Sequence, residues 1–190
     1  MLAPVRTAAP ASTPISVAEA KSHLRIDISD DDGLIEAYIA AAVDHLDGWS
    51  GILGRALVTQ SWRQDFAGFG CLRLPLGPVA SITEIKYFDD DNVQQTLANT
   101  VYTHLSDALG TYVALKPDQV WPSSYSRPDA VSITYAAGSA AADVPPALKA
   151  AIFLMVGNWY ANRETTTETA MTELPIGAYA LMSPYRRIGV

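Results

Sequence analysis

Charge is the first thing this chain is short of. Only 17% of its 190 residues are Asp, Glu, Lys or Arg, against roughly 25% in an average soluble protein. The apolar share, 49%, is ordinary. A chain of that make-up commits less surface to water, so part of its surface is expected to face other protein. Positive charge is scarcest. Thirteen Lys and Arg stand against 20 Asp and Glu, for a net charge of −7 and a pI near 4.8. That balance argues against a protein that grips nucleic acid, since such affinity comes mainly from Lys and Arg neutralising phosphates. A single cysteine, Cys71, excludes an internal disulfide. No apolar run approaches the ~18 residues of a membrane span; the longest, around 150–157, has Lys149 beside it. Residues 1–14 are rich in Ala, Pro and Thr and lack an apolar centre, so they are expected to be a flexible or partner-ordered arm and not a secretory signal.

What is present falls into three stretches. Ser16-Val17-Ala18-Glu19 fits a capping box, in which the Ser oxygen accepts from the third backbone N–H and the Glu reaches back; a helix is predicted over 16–25. Asp30, Asp31 and Asp32 mark a second start, because acidic side chains complement the free N–H groups of a helix N-terminus. Leu34, Ile35, Tyr38, Ile39, Ala42, Val43, Leu46 and Trp49 then recur at three- and four-residue spacing, which predicts an amphipathic helix over 31–49, ended by Gly48, Gly51 and Gly54. From about 56 to 136 the period falls to two. Strands are predicted at 58–66, 71–74, 81–88, 93–97, 101–105, 111–115 and 131–135, with Asp89–Asn92 as a hairpin turn. Pro117, Pro122 and Pro128 make the region between the last two strands a loop.

Helix returns over 144–162. Pro145 and Pro146 suit its first turn, and Leu148, Ala151, Ile152, Met155 and Trp159 share a face while Phe153, Leu154, Val156 and Tyr160 fill much of the rest. Such a helix is expected to be buried on most sides. A polar Thr-rich stretch at 164–172 reads as a mobile loop, 175–182 as one or two helical turns, and the basic end at 183–190 as an extended tail. The fold class is therefore α+β. Two N-terminal helices and a long C-terminal helix form a helical core, with a small antiparallel β unit inserted into a single domain over 15–182.

Chemistry is harder to find. His23, His45 and His104 lie in no His-x-His or His-Glu-x-x-His spacing, which a helical zinc site needs to bring two ligands to one face. Gly48-Trp49-Ser50-Gly51-Ile52 lacks the fifth Gly of a nucleophile elbow, and a helix precedes it where the elbow needs a strand. Cys71 opens an alternating strand, where a lone Cys is expected to be a small core residue. Asp30–Asp32 and Asp89–Asp91 lack the alternate ligands, central Gly and closing Glu of a calcium loop. Gly68-Phe69-Gly70 has no third glycine for a phosphate loop. Trp62 and Trp121 could stack on bases, but Arg63, Arg73 and Arg127 are too sparse beside them; packing in a core or an interface is expected. No catalytic residue, cofactor or metal is expected, and the chain is not read as an enzyme. The remaining feature is the Arg186-Arg187 pair. Leu181, Met182, Tyr185 and Ile188 surround it with apolar anchors, as in a peptide that docks in a groove.

Several stretches together resemble a known family. Residues 14–27, opening Pro14-Ile15-Ser16-Val17-Ala18-Glu19-Ala20-Lys21, are similar to the start of phage head–tail connector (head-completion adaptor) proteins. Asp31 to Ala42, Gly54 to Trp62, Val144 to Ile152 and Asn158 to Glu164 continue the likeness in order. Adaptors of this family also occur in gene transfer agents, the phage-like particles that bacteria make. The resemblance implies a structural protein of the virion neck, assembled in the bacterial cytoplasm. It implies a homo-oligomeric ring of twelve copies under the portal protein, which extends the DNA channel and presents a docking surface to the next neck (stopper) protein. DNA would pass without specific binding, and no membrane is involved. It also implies that the C-terminal segment engages the portal. The matching positions here are Leu181, Met182, Tyr185, Arg186, Arg187 and Ile188. The other reading left open is a small interaction adaptor of a different multi-protein assembly.

Overall fold

The computed structural model describes residues 2–162 and 176–187. The Thr-rich stretch 164–172 and Ile188 lie outside them. The strands are β1 (Val5–Ala8), β2 (Gln60–Phe66), β3 (Leu72–Arg73), β4 (Val79–Phe88), β5 (Gln94–Thr96), β6 (Tyr102–Asp107), β7 (Gly110–Leu115) and β8 (Val131–Ala137). The helices are α1 (Val17–Leu24), α2 (Asp32–Leu46), α3 (Pro146–Ala161) and α4 (Ile176–Met182). The α+β class holds. The chain divides into two compact units, one of Met1–Ala11 with Thr59–Ser139 and one of Ser12–Val58 with Ala140–Val190.

The first unit is all β. Its five-stranded sheet has the order β1-β2-β8-β4-β5 and its three-stranded sheet the order β3-β7-β6, with every pairing antiparallel. Along β8, Val131, Ile133, Tyr135 and Ala137 are buried while the residues between them are half-buried, the period-two signature of a sheet with one core face. Trp62 lies opposite Tyr135 on β2 and is buried with it. Residues 5–8 are not a free arm. They pair with β2, Val5 opposite Arg63 and Arg6 opposite Trp62, because the outer edge of β2 offers backbone N–H and C=O groups that composition cannot reveal. Cys71 also departs from expectation. It is exposed, because the inward phase of this stretch belongs to Leu72, Leu74 and Leu76.

The second unit is helical. Its core joins Ile15, Ile35, Ile39, Ala42, Leu46, Leu53, Leu148, Ile152, Met155, Ala178 and Met182, which come from all its helices except α1 and from the segments flanking α1 and α2; Ala20 adds α1 itself. Ser16 caps α1 in a full capping box, with Glu19 N–H donating to Ser16 Oγ at 3.2 Å and Ser16 N–H to Glu19 Oε2 at 2.7 Å. Those bonds hold the Glu19 carboxyl below its usual range. Lys21 reaches Asp32 at 2.7 Å, and Tyr160 donates to Asp31 at 2.5 Å, tying α1 and α3 to the start of α2.

Two helix readings need correction. α2 stops at Leu46 instead of 49, and Trp49 is 50% exposed instead of facing the core. Asp47 turns the chain there, its Oδ1 accepting the Leu57 N–H at 2.6 Å, and Gly48 follows at φ +81°. Gly51 completes the turn against α2's last carbonyls; a Cβ there would sit 2.3 Å from the Asp47 oxygen. α3 is less enclosed than its composition suggested. Leu148, Ala151, Ile152, Met155 and Val156 are buried, but Leu154 is 37% exposed and Phe153, Trp159 and Tyr160 are half-buried. Phe153 stacks on His23 with ring centroids 5.2 Å apart, and Trp159 tilts against Tyr38 at 6.2 Å.

Candidate functional site

The residues that could have carried chemistry lie apart or are absorbed by structure. His23 is engaged with Phe153, His104 is exposed on β6, and Ser50 is exposed in the turn after α2. Asp89 caps its own hairpin: Oδ1 accepts from Asp91 N–H at 3.1 Å and Val93 N–H at 2.9 Å, and Oδ2 from Gln95 at 2.8 Å. The Val93 N–H above all holds the Asp89 carboxyl low. Among the described residues no group of three or more His, Cys, Asp or Glu could hold a metal ion. No helix among them is long and apolar enough to cross a membrane.

The basic side chains near the tryptophans are matched by acids. Arg63 pairs with Asp65 at 3.1 Å, Arg73 with Asp107 at 2.8 Å and Arg127 with Asp129 at 2.7 Å. Arg127 also lies 3.8 Å over the Phe88 ring. Arg73 forks onto both Asp107 oxygens and holds that carboxyl at about 2. An Arg so engaged has fewer donors left for a phosphate. Trp62 is buried with Arg6 5.9 Å over its ring, and Trp121 stacks on Phe69 at 4.9 Å. Trp62 and Trp121 therefore pack against their neighbours.

The C-terminal segment is where the proposed contact residues gather. It is not an extended tail over its described length. α4 runs into a 3-10 turn at Ser183–Tyr185, and the Arg187 N–H donates to the Leu53 carbonyl at 2.9 Å. Met182 is 2% exposed and belongs to the core. Leu181 and Tyr185 are half-buried against that core, and Arg55 lies 5.9 Å over the Tyr185 ring. Burial lowers the Arg55 guanidinium. Arg186 is exposed and Arg187 is half-buried, its Cβ 3.6 Å from where a Gly54 Cβ would stand. Of the six expected residues, Leu181, Tyr185, Arg186 and Arg187 are thus at least partly exposed on the helical unit, and Met182 lies in its core.

The helical unit also carries a groove of about 170 Å³, lined by His45, Ile52, Leu53, Tyr179, Met182, Ser183 and Arg186. The sequence reading missed it. Ile52 and Leu53 follow a glycine turn, where no period betrays a face, and only the fold brings them to α4.

Comparison with known proteins fits this geometry in two steps. First, residues 14–66 match the family model of phage gp6-like head–tail connector proteins. The resemblance drawn from the sequence is borne out over that stretch, which here holds α1, α2 and β2. Second, the whole chain shares its fold with chains of gene transfer agent particles. It is 24% identical, with a TM-score of 0.75, to a chain in the virion of a native particle. To a chain in the neck of an empty particle, computed with C6 symmetry, it is 24% identical with a TM-score of 0.76. To one in the neck of a native particle, computed with C12 symmetry, it is 23% identical with a TM-score of 0.69. Each likeness covers 100% of this chain and 97% of the other. No curated protein sequence matches the chain significantly.

Proposed function

We propose that this chain is a structural head–tail connector adaptor of a tailed phage or phage-like particle. The observation that carries the reading is the connector-family match over 14–66, set in a chain whose full length folds like chains of particle necks. In this reading copies form a ring of twelve under the portal, extend the DNA channel and offer a surface to the next neck protein. The symmetry of the neck structures it resembles supports the ring. The role is mechanical, needs no catalytic group, cofactor or metal, and is taken up after assembly in the bacterial cytoplasm.

A ring subunit uses two different faces against its neighbours, a heterologous contact that closes by rotation. That accounts for low charge with ordinary apolar content. In the proposed organisation 15–182 is the adaptor body and 183–190 the segment that meets the portal, with Leu181, Met182, Tyr185, Arg186, Arg187 and Ile188 as contact residues. Met182 serves by anchoring the segment to the core, and Arg186 is the exposed contact.

Purified chain mixed with portal tests the reading. It should join the portal as a ring visible by electron microscopy. Deleting 184–190 should abolish that binding and leave the far-ultraviolet circular dichroism unchanged. Since Tyr185 and Arg187 pack on the unit, Arg186→Glu provides the milder variant and should weaken binding without touching the core. A chain that stays monomeric and never binds portal overturns the reading.

A further inference from the structure

Residues 116–130 join β7 to β8 without regular structure, at a length where loops are uncommon and usually functional. This loop is pinned. Trp121 stacks on Phe69, Ser123 Oγ donates to Asp90 at 2.6 Å, the Tyr125 N–H donates to the Phe88 carbonyl at 2.9 Å, and Arg127 forks onto Asp129. Yet Val120, beside the stacked Trp121, is 81% exposed, more than any other large apolar side chain among the described residues. A held loop that presents a branched aliphatic group loses little freedom on docking.

The helical unit carries a fitting receptor. Ile52, Leu53 and Met182 give its groove an apolar lining, and apolar cavities of ~150 Å³ are large enough to take up benzene, so about 170 Å³ holds an isopropyl group. The charges match as well. The exposed Arg186 lines the groove. Asp118 stands exposed two residues from Val120, while the nearby Lys116 is turned away onto the Asn99 carbonyl at 2.9 Å.

We propose that Val120 of one copy seats in the 52–53/179–186 groove of the next copy, with Asp118 facing Arg186. Knob and groove are different surfaces of one sequence, so copies joined in one direction make a heterologous contact, which forms a ring when its rotation closes. This rests on the adaptor reading, and places Arg186 where two copies and the portal meet.

Cysteine pairing on the portal complex tests it. In a Cys71→Ser background, Val120→Cys combined with Ile52→Cys should oxidise to a ladder of linked copies on a non-reducing gel, and neither single variant should exceed a dimer. A disulfide that closes within one chain, or none, overturns the proposal. Val120→Asp lies outside the core and the tail, and should leave the fold and the binding of a single copy to portal intact. It should weaken copy-to-copy association roughly tenfold or more, the worth of one buried branched side chain. If wild-type chain never binds portal, the adaptor reading fails and the knob with it. If wild type and Val120→Asp fill the portal equally, only the knob fails.

Discussion

Asp107 and Arg73 show what a single exposed pair does in a chain with few charges. The guanidinium bonds both carboxyl oxygens at 2.8 Å and joins β3 to the β6–β7 turn, and the carboxyl titrates at about 2, below the ~3.9 of an unpaired Asp. A folded value below the unfolded one means the pair's contribution is fully present above about pH 4. It is lost as pH falls toward 2. Arg73→Gln should return the Asp107 titration toward ~3.9, followed by carboxyl NMR, and should move acid unfolding to higher pH. An unmoved titration would mean that the fork does not hold in solution. Lattices of such pairs elsewhere, Arg63 with Asp65 and Arg127 with Asp129, were invisible to a reading that counted arginines without their partners.

Among the elements, those set by local spacing were legible and those set by distant partners were not. Ser16 and Glu19 announce α1 from four residues, and the capping box forms as read. Ser16→Ala should cost ~1 kcal/mol, measured by urea unfolding, whereas Ser16→Asp should restore most of it. The strand alternation at 131–135 and 81–88 placed most of β8 and most of β4. β1 went unread because it pairs with the edge of β2, more than fifty residues on. The end of α2 went unread because Asp47 answers to Leu57 across a turn. The candidate site divides the same way. Arg186 and its apolar flanks were visible as a short motif, but that Met182 would be core and Leu53 a hydrogen-bond acceptor for Arg187 depends on packing no spacing encodes.

At the scale of the whole molecule the net charge of −7 disfavours a grip on DNA phosphates. In the proposed channel a duplex must slide, and the pairing of Arg63, Arg73 and Arg127 with acids suits that. Duplex DNA labelled for fluorescence anisotropy should show no binding by the chain at physiological salt. Tight binding that weakens steeply with added salt, the mark of phosphate neutralisation, would contradict a passive channel.

The core of the helical unit has one more consequence, and it concerns time. Ile15 and Ile35 belong to that core, and so do Ala178 and Met182. Synthesis delivers the first pair well before the second, with all of the β unit except β1 made in between. The β unit can close while the chain is still being made, but the helical core cannot. A chain broken off before Ala178 therefore lacks both its last core residues and the surface that they support. In the adaptor reading proposed above, a chain stopped there would be excluded from a ring, with no separate inspector required.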